Sequence, residues 1–243
     1  MPNSHTPATT LRRYYRRLSS HFGPQYWWPA RTRFEVILGA LLTQNTSWVN
    51  VEKALNNLRC EGLLRPDKLA RVSPARLEKL LRPSGYYRQK TRVVRGFLAH
   101  LQRRYGGSLR RLLARPANQL RAELLSLHGI GEETADSILL YAAGQPVFVV
   151  DAYTRRVLAR HGLASETARY AELQGFFHRH LPGDASLFNE YHALLVAVGK
   201  NYCRRRAPDC AGCPLGPELP TPRLTSISAP PVAAPGLEVV ARV

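Results

Sequence analysis

The apolar positions along the chain recur at helical spacing almost throughout. FEVILGALLT, Phe34 to Thr43, is apolar on nearly every side and predicts a buried helix. Trp48, Val51, Ala54, Leu55 and Leu58 then fall on one helical face, with Ser47 placed to cap it. The stretch PDKLARVSPARLEKLLRPSGYY predicts two short amphipathic helices divided at Ser73-Pro74, and QKTRVVRGFLAHLQRRY a longer one stopped by Gly106-Gly107. RAELLSL and EETADSILLYAAG predict a tight helical pair turning on HGIG; AYTRRVLARHG and EYHALLVAVGKNYC supply two more helices. VFVV, Val147 to Val150, is the single strand-like run and is too short to imply a sheet. The expected fold class is all-α, with no internal repeat.

Charge narrows the class. The 243 residues carry a formal charge of +18 with only five lysines, so the excess is arginine. Planar guanidinium forks bind phosphate bidentately, which makes a polyanion the expected partner. No apolar run reaches the length of a membrane helix, and the polar N-terminus has no signal-type apolar core. After Cys213 the composition turns to proline, serine and alanine, and a disordered tail is expected over 216–243.

The chemistry gathers in LHGIGEETADSILLYAAGQPVFVVDAYTRR, Leu127 to Arg156. Gly129 and Gly131 permit a sharp turn into a helix whose free N–H groups form a phosphate site, with Thr134 in the next turn and Ile130 anchoring the turn in the core. Asp151 closes the VFVV run; it suits a helix N-cap and equally a fixed negative charge. Glu132 and Glu133 suit the dipole of a first helical turn. Tryptophan is confined to two stretches, YWWP at Tyr26–Pro29 and TQNTSW ending at Trp48.

In these segments the sequence resembles the helix-hairpin-helix DNA glycosylases of endonuclease III type, over roughly Phe34 to Cys213. The likeness rests on FEVILGALLTQNTS, GYYRQKTRVVRGF, LHGIGEETA and VVDAYTRR in that order. It implies two helical domains with a cleft between them: 34–145, a six-helix domain with the hairpin, and 10–33 with 146–215, a second helical domain with a Cys-rich loop. It implies double-stranded DNA containing a damaged base as partner, a monomer, and a cytoplasmic, nucleoid-associated setting. Asp151 matches the family's catalytic aspartate, which stabilises positive charge on the sugar as the base leaves. The strand-cleaving branch carries a lysine where this chain has Glu133, and a carboxylate forms no imine, so a monofunctional glycosylase is expected.

WWP, LTQNT with an aromatic, and the missing lysine are most similar to the 3-methyladenine glycosylase branch. By that resemblance Trp27, Trp28, Pro29 and Trp48 line the base pocket, Lys200 lies near it, and Gln44 and Asn45 reach the bases. The expected substrate is an alkylated purine, whose positive charge gains from stacking on indole. An oxidised pyrimidine, a mismatched base, or a DNA-binding protein without catalysis are the alternatives. Cys203, Cys210 and Cys213 have C-x6-C-x2-C spacing, three of the four cysteines with which endonuclease III proteins hold a [4Fe–4S] cluster; the fourth position is Leu219.

Overall fold

The computed structural model describes residues 6–220. Twelve α-helices occur among them: α1 Pro7–Phe22, α2 Arg33–Leu42, α3 Trp48–Cys60, α4 Pro66–Leu69, α5 Pro74–Leu81, α6 Tyr87–Tyr105, α7 Leu109–Leu113, α8 Ala117–Leu125, α9 Glu132–Ser137, α10 Ala152–Arg160, α11 Tyr170–His180 and α12 Ala185–Asn201. No strand is formed among the described residues, and none of their helices is long and apolar enough to cross a membrane. α9 runs on into a π-helical turn, Ile138–Ala142.

Two apolar cores divide the side chains. One is built from α2 to α9 and the π turn, ending at Val147; its centre includes Ile37, Leu58, Val94, Leu124 and Ile138. The other gathers Leu11, Tyr14 and Leu18 of α1 with Phe148 to Val150, α10, α11, α12 and Leu215. Tyr141 packs against both. Phe148 stacks on Phe177 at 3.7 Å between ring centroids, both rings fully buried. Burial of each such ring contributes roughly 1.5–3 kcal/mol.

The VFVV run is buried and forms no strand. Part of its backbone is satisfied by side chains instead. The Phe148 amide donates to His178 Nε2 (2.9 Å), the Val150 amide to the Tyr170 hydroxyl (3.3 Å), and Gln174 Nε2 to the Phe148 carbonyl (2.8 Å). All three partners lie on α11, so this helix substitutes for a neighbouring strand and fixes the approach to Asp151.

Three sequence expectations need correction. Ser47 occupies the N-cap position of α3, but its side chain makes no capping bond; only its carbonyl serves the helix. The N-terminal α1 escaped the helical reading, although Thr6 caps it, Pro7 opens it, and Leu11, Tyr14 and Leu18 line one face; arginine on the other faces hid the pattern. The start of the expected tail is folded: Gly216–Glu218 is a 3-10 turn, and Glu218 accepts from Arg13 and Arg17 of α1, both at 2.8 Å. The only acidic residue of that stretch pins it to the body. The remainder of the tail, 221–243, lies outside the described residues.

Candidate active site

The turn between α8 and α9 is set by a glycine at one position only. Gly129 has φ +81°, and a Cβ there would stand 2.4 Å from Val93 Cγ2. Gly131 is extended, and a Cβ on it would meet nothing within 4 Å. Ile130, 5% exposed, plugs the turn into the first core as the sequence suggested. No side chain caps α9 at Gly131, so the amides of its first turn stay available to an acceptor. Gln44 braces the hairpin from outside: its Nε2 donates to the Gly129 carbonyl (2.8 Å) and Thr134 Oγ1 (3.1 Å). This amide is neither a helix cap nor free to read a base with its N–H groups.

Beside the hairpin a cleft of about 970 Å³ opens, large enough for a nucleotide turned out of a duplex. Trp27, Trp28, Trp48, Gln44, Asn45, Gly129, Gly131, Thr134 and Lys200 all line it. The indoles form one cluster, Trp27 and Trp28 5.3 Å apart and Trp28 edge-on to Trp48 at 5.1 Å. Trp28 leans on Gly39, where a Cβ would come within 3.0 Å of its ring. Lys200 holds its ammonium over the Trp27 ring at 5.7 Å. Asn45 sits exposed at the tip of the α2–α3 loop in a left-handed conformation, φ 52°. Pro29 departs from the set: it is exposed and does not line the cleft.

Asp151 faces an adjoining hollow rather than the cleft itself; Glu133 and Tyr170 line both and form the shared wall. Its two oxygens have different surroundings. Oδ1 accepts the Thr154 amide at 2.7 Å, capping α10. Oδ2 lies 3.6 Å from His192 Nε2 on α12, and the side chain is 12% exposed. The N-cap role and a role in chemistry therefore use different atoms. Glu133 is open to water at the cleft mouth, yet protein walls and the nearby Asp151 charge push its carboxyl up to about 7. Burial holds His192 below the usual histidine range despite the Asp151 charge.

The sequence reading passed over His192, Tyr141, Tyr153 and Tyr170. His192 stands alone in the apolar run EYHALLVAV, where a histidine ordinarily reads as packing; nothing local links it to an aspartate 41 positions away. The buried carboxylate behind the hairpin was equally hidden. Asp136, fully buried, accepts from Arg121 Nε (2.7 Å) and Gln174 Nε2 (2.7 Å), tying α8 and α9 to α11.

The loop offers three cysteines, one short of the four thiolates that hold a four-iron cluster. Cys203, Cys210 and Cys213 share a hollow of about 20 Å³ with Leu219, His161 and Arg160, room for roughly one water. Arg160 Nη1 stands 3.3 Å from Cys203 Sγ, and no group of three possible ligands is arranged to hold a metal among the described residues. All four cysteines are free, with Cys60 exposed in the other core's territory.

Comparison with known proteins agrees with this arrangement. The model of the HhH-GPD superfamily of base excision DNA repair proteins matches residues 38–182. The chain belongs to that superfamily. A Methanocaldococcus jannaschii protein bearing the provisional name of a DNA repair glycosylase is 45% identical over 208 residues, 84% of this chain and 93% of its own. Endonuclease III of Thermotoga maritima is 31% identical over 180 residues, 74% of this chain and 79% of its own. Among solved structures, the Helicobacter pylori 3-methyladenine DNA glycosylase bound to 1,N6-ethenoadenine superposes with a TM-score of 0.70 at 29% identity, covering 81% of this chain and 98% of that one. The HhH-GPD chain described above is thus a DNA glycosylase of base-excision repair.

Proposed function

We propose that this HhH-GPD protein is a monofunctional glycosylase that hydrolyses the N-glycosidic bond of an alkylated purine in double-stranded DNA. The observation that carries the reading is a pair of adjoining hollows: three clustered indoles in the cleft, and Glu133 on the wall it shares with the hollow that Asp151 faces, with no amine at the hairpin position. The hairpin amides around Gly129 and Gly131 bind backbone phosphate, with Thr134 beside them. The everted base stacks among Trp27, Trp28 and Trp48, with stacking worth about 1–3 kcal/mol per base. A purine alkylated at N3 or N7 is already cationic, so it leaves as a neutral base when the C1′–N bond breaks and takes the bonding electrons. No general acid is required for that departure. Asp151 Oδ2 opposes the charge left on the sugar and guides water to C1′; the water's extra proton passes to the carboxylate and on to solvent.

Glu133 adds to the preference for a cationic base and excludes imine chemistry, because its carboxyl supplies no nucleophilic nitrogen. The cysteine loop takes no part in this scheme. Arg204, Arg205 and Arg206 are exposed on it and suit contact with phosphate whether or not a metal is bound.

The test is base release from duplexes carrying 3-methyladenine, 7-methylguanine, ethenoadenine, 8-oxoguanine, thymine glycol, uracil or a mismatched thymine, with borohydride added to parallel samples. Release of the alkylated purines with an intact abasic strand and no trapped adduct supports the reading. Preferential release of an oxidised pyrimidine, uracil or thymine overturns the substrate class, and a trapped adduct overturns the monofunctional assignment.

A further inference from the structure

His192 is 5% exposed, and both of its ring nitrogens face something. Nδ1 stands 2.5 Å from the hydroxyl of Tyr141, contributed by the π turn after α9. Nε2 has no hydrogen-bond partner among the described residues and is aimed at Asp151 Oδ2, 3.6 Å away. A buried, unpartnered ring nitrogen beside a carboxylate is costly unless the gap closes in the working complex.

The tautomer follows from the neighbours. Were Nδ1 to carry the proton and donate to the tyrosine oxygen, a bare Nε2 lone pair would point at a carboxylate oxygen, acceptor against acceptor. With the tyrosine donating to Nδ1, Nε2 carries the N–H and Asp151 accepts. The separation is longer than a hydrogen bond, and free active sites commonly show such contacts loose before substrate closes them. The histidine also lines the tryptophan cleft, so an occupying nucleotide presses on the same side chain.

We propose that His192, oriented by Tyr141, is a positioning residue for Asp151: its Nε2–H steers Oδ2 toward the sugar while the Thr154 amide holds Oδ1. The Tyr141–His192–Asp151 line thereby links the π turn, α12 and the cap of α10. The inference rests on the role proposed above for Asp151. The histidine does not touch the sugar and takes no proton; misplacing a reacting group by about 1 Å can cost on the order of a hundredfold in rate.

Single-turnover base release and duplex affinity are measured for the full chain and for His192→Phe, His192→Gln, Tyr141→Phe and Asp151→Asn, with melting temperatures alongside. His192→Phe is expected to slow release about 10- to 100-fold while affinity stays within about threefold. His192→Gln, whose amide N–H reaches a similar point, is expected to recover most of the rate; Tyr141→Phe, which frees the tautomer, falls between. Wild-type rates in His192→Phe overturn the proposal, as does failure of glutamine to rescue in a protein of normal melting temperature. A loss of affinity in step with rate also overturns it, since that marks a structural role. If His192→Phe does not fold, Tyr141→Phe decides, and an unchanged rate in it counts against the proposal. Full activity in Asp151→Asn locates the failure in the Asp151 assignment instead.

Discussion

Replacing Asp151 with asparagine removes a charge and leaves most of the geometry in place. Asn is as good an N-cap as Asp, so the bond from the Thr154 amide, 2.7 Å in the native protein, is kept through the amide oxygen. The melting temperature is expected to move by no more than about 2 °C. What disappears is the negative oxygen available to an oxocarbenium-like sugar. A unit charge pair at about 4 Å and an effective dielectric of ~20 is worth about 4 kcal/mol. At 1.36 kcal/mol per decade, that predicts a loss of roughly a thousandfold in the excision step. The assay is single-turnover base release from an alkylated duplex with enzyme in excess, with affinity for an uncleavable duplex measured by fluorescence anisotropy. Affinity should hold or rise slightly, because a negative charge near DNA has been removed. An Asp151→Asn protein that releases base within a few-fold of wild type refutes the electrostatic argument. So does one whose rate loss is matched by loss of binding.

Three further outcomes follow from the hairpin. The Glu133 carboxyl, raised from 4.5 to about 7, keeps its proton in the folded chain where the unfolded chain has released it, so folding stability falls as pH rises across that window and levels off above it. Glu133→Gln should lack this slope, and a plot of its melting temperature minus that of wild type should climb from about pH 4.5 to pH 7; a flat difference contradicts the assigned shift. Glu133→Lys should gain a borohydride-trappable adduct on abasic DNA that wild type does not form, and its continued absence in a folded protein would show that the hairpin position does not reach the sugar. Gly129→Ala, forced into positive φ against Val93, should cost about 1–3 kcal/mol of stability and weaken duplex binding, whereas Gly131→Ala should do neither to a measurable degree; chemical denaturation of the pair compares them directly.

The parts of the fold legible in the sequence are those whose signal is local. Helical periodicity marked α2, α3, α5, α6 and α12, and the glycines at 129 and 131 marked the turn. The parts that were obscure depend on partners far along the chain. In α1, every third or fourth residue is apolar, but the arginines between them obscure the pattern. Only contact with α12 and Glu218 shows which face is buried. VFVV reads as a strand because its residues favour extended backbone. It forms no strand; backbone bonds of Phe148 and Val150 go to His178, Tyr170 and Gln174, and no sequence rule announces a helix acting as its partner.

The candidate site divides along the same line, and the division explains why a single residue type misleads at each point. Asp151 looked like a cap or a chemical group, and the geometry makes these compatible, because one oxygen caps and the other faces His192. Gln44 looked like a base reader; its donors are spent on the hairpin, where they brace the turn at Gly129 and Thr134. The cysteines looked like most of a metal site; the hollow they share is lined also by Leu219 and Arg160 and has room for about one water. In each case the local motif is compatible with more than one use, and what a second element brings decides which atoms are left free. The cleft follows the same logic at larger scale. Its aromatic wall comes from the segment before α2 and the start of α3, its carboxylates from α9, and its histidine and lysine from α12, while the cap of α10 lines the adjoining hollow. A shift of α12 relative to α9 would therefore alter base stacking and sugar electrostatics together. The Arg121–Asp136–Gln174 tie between hairpin and second core, centred on the buried Asp136, stabilises the register on which both depend.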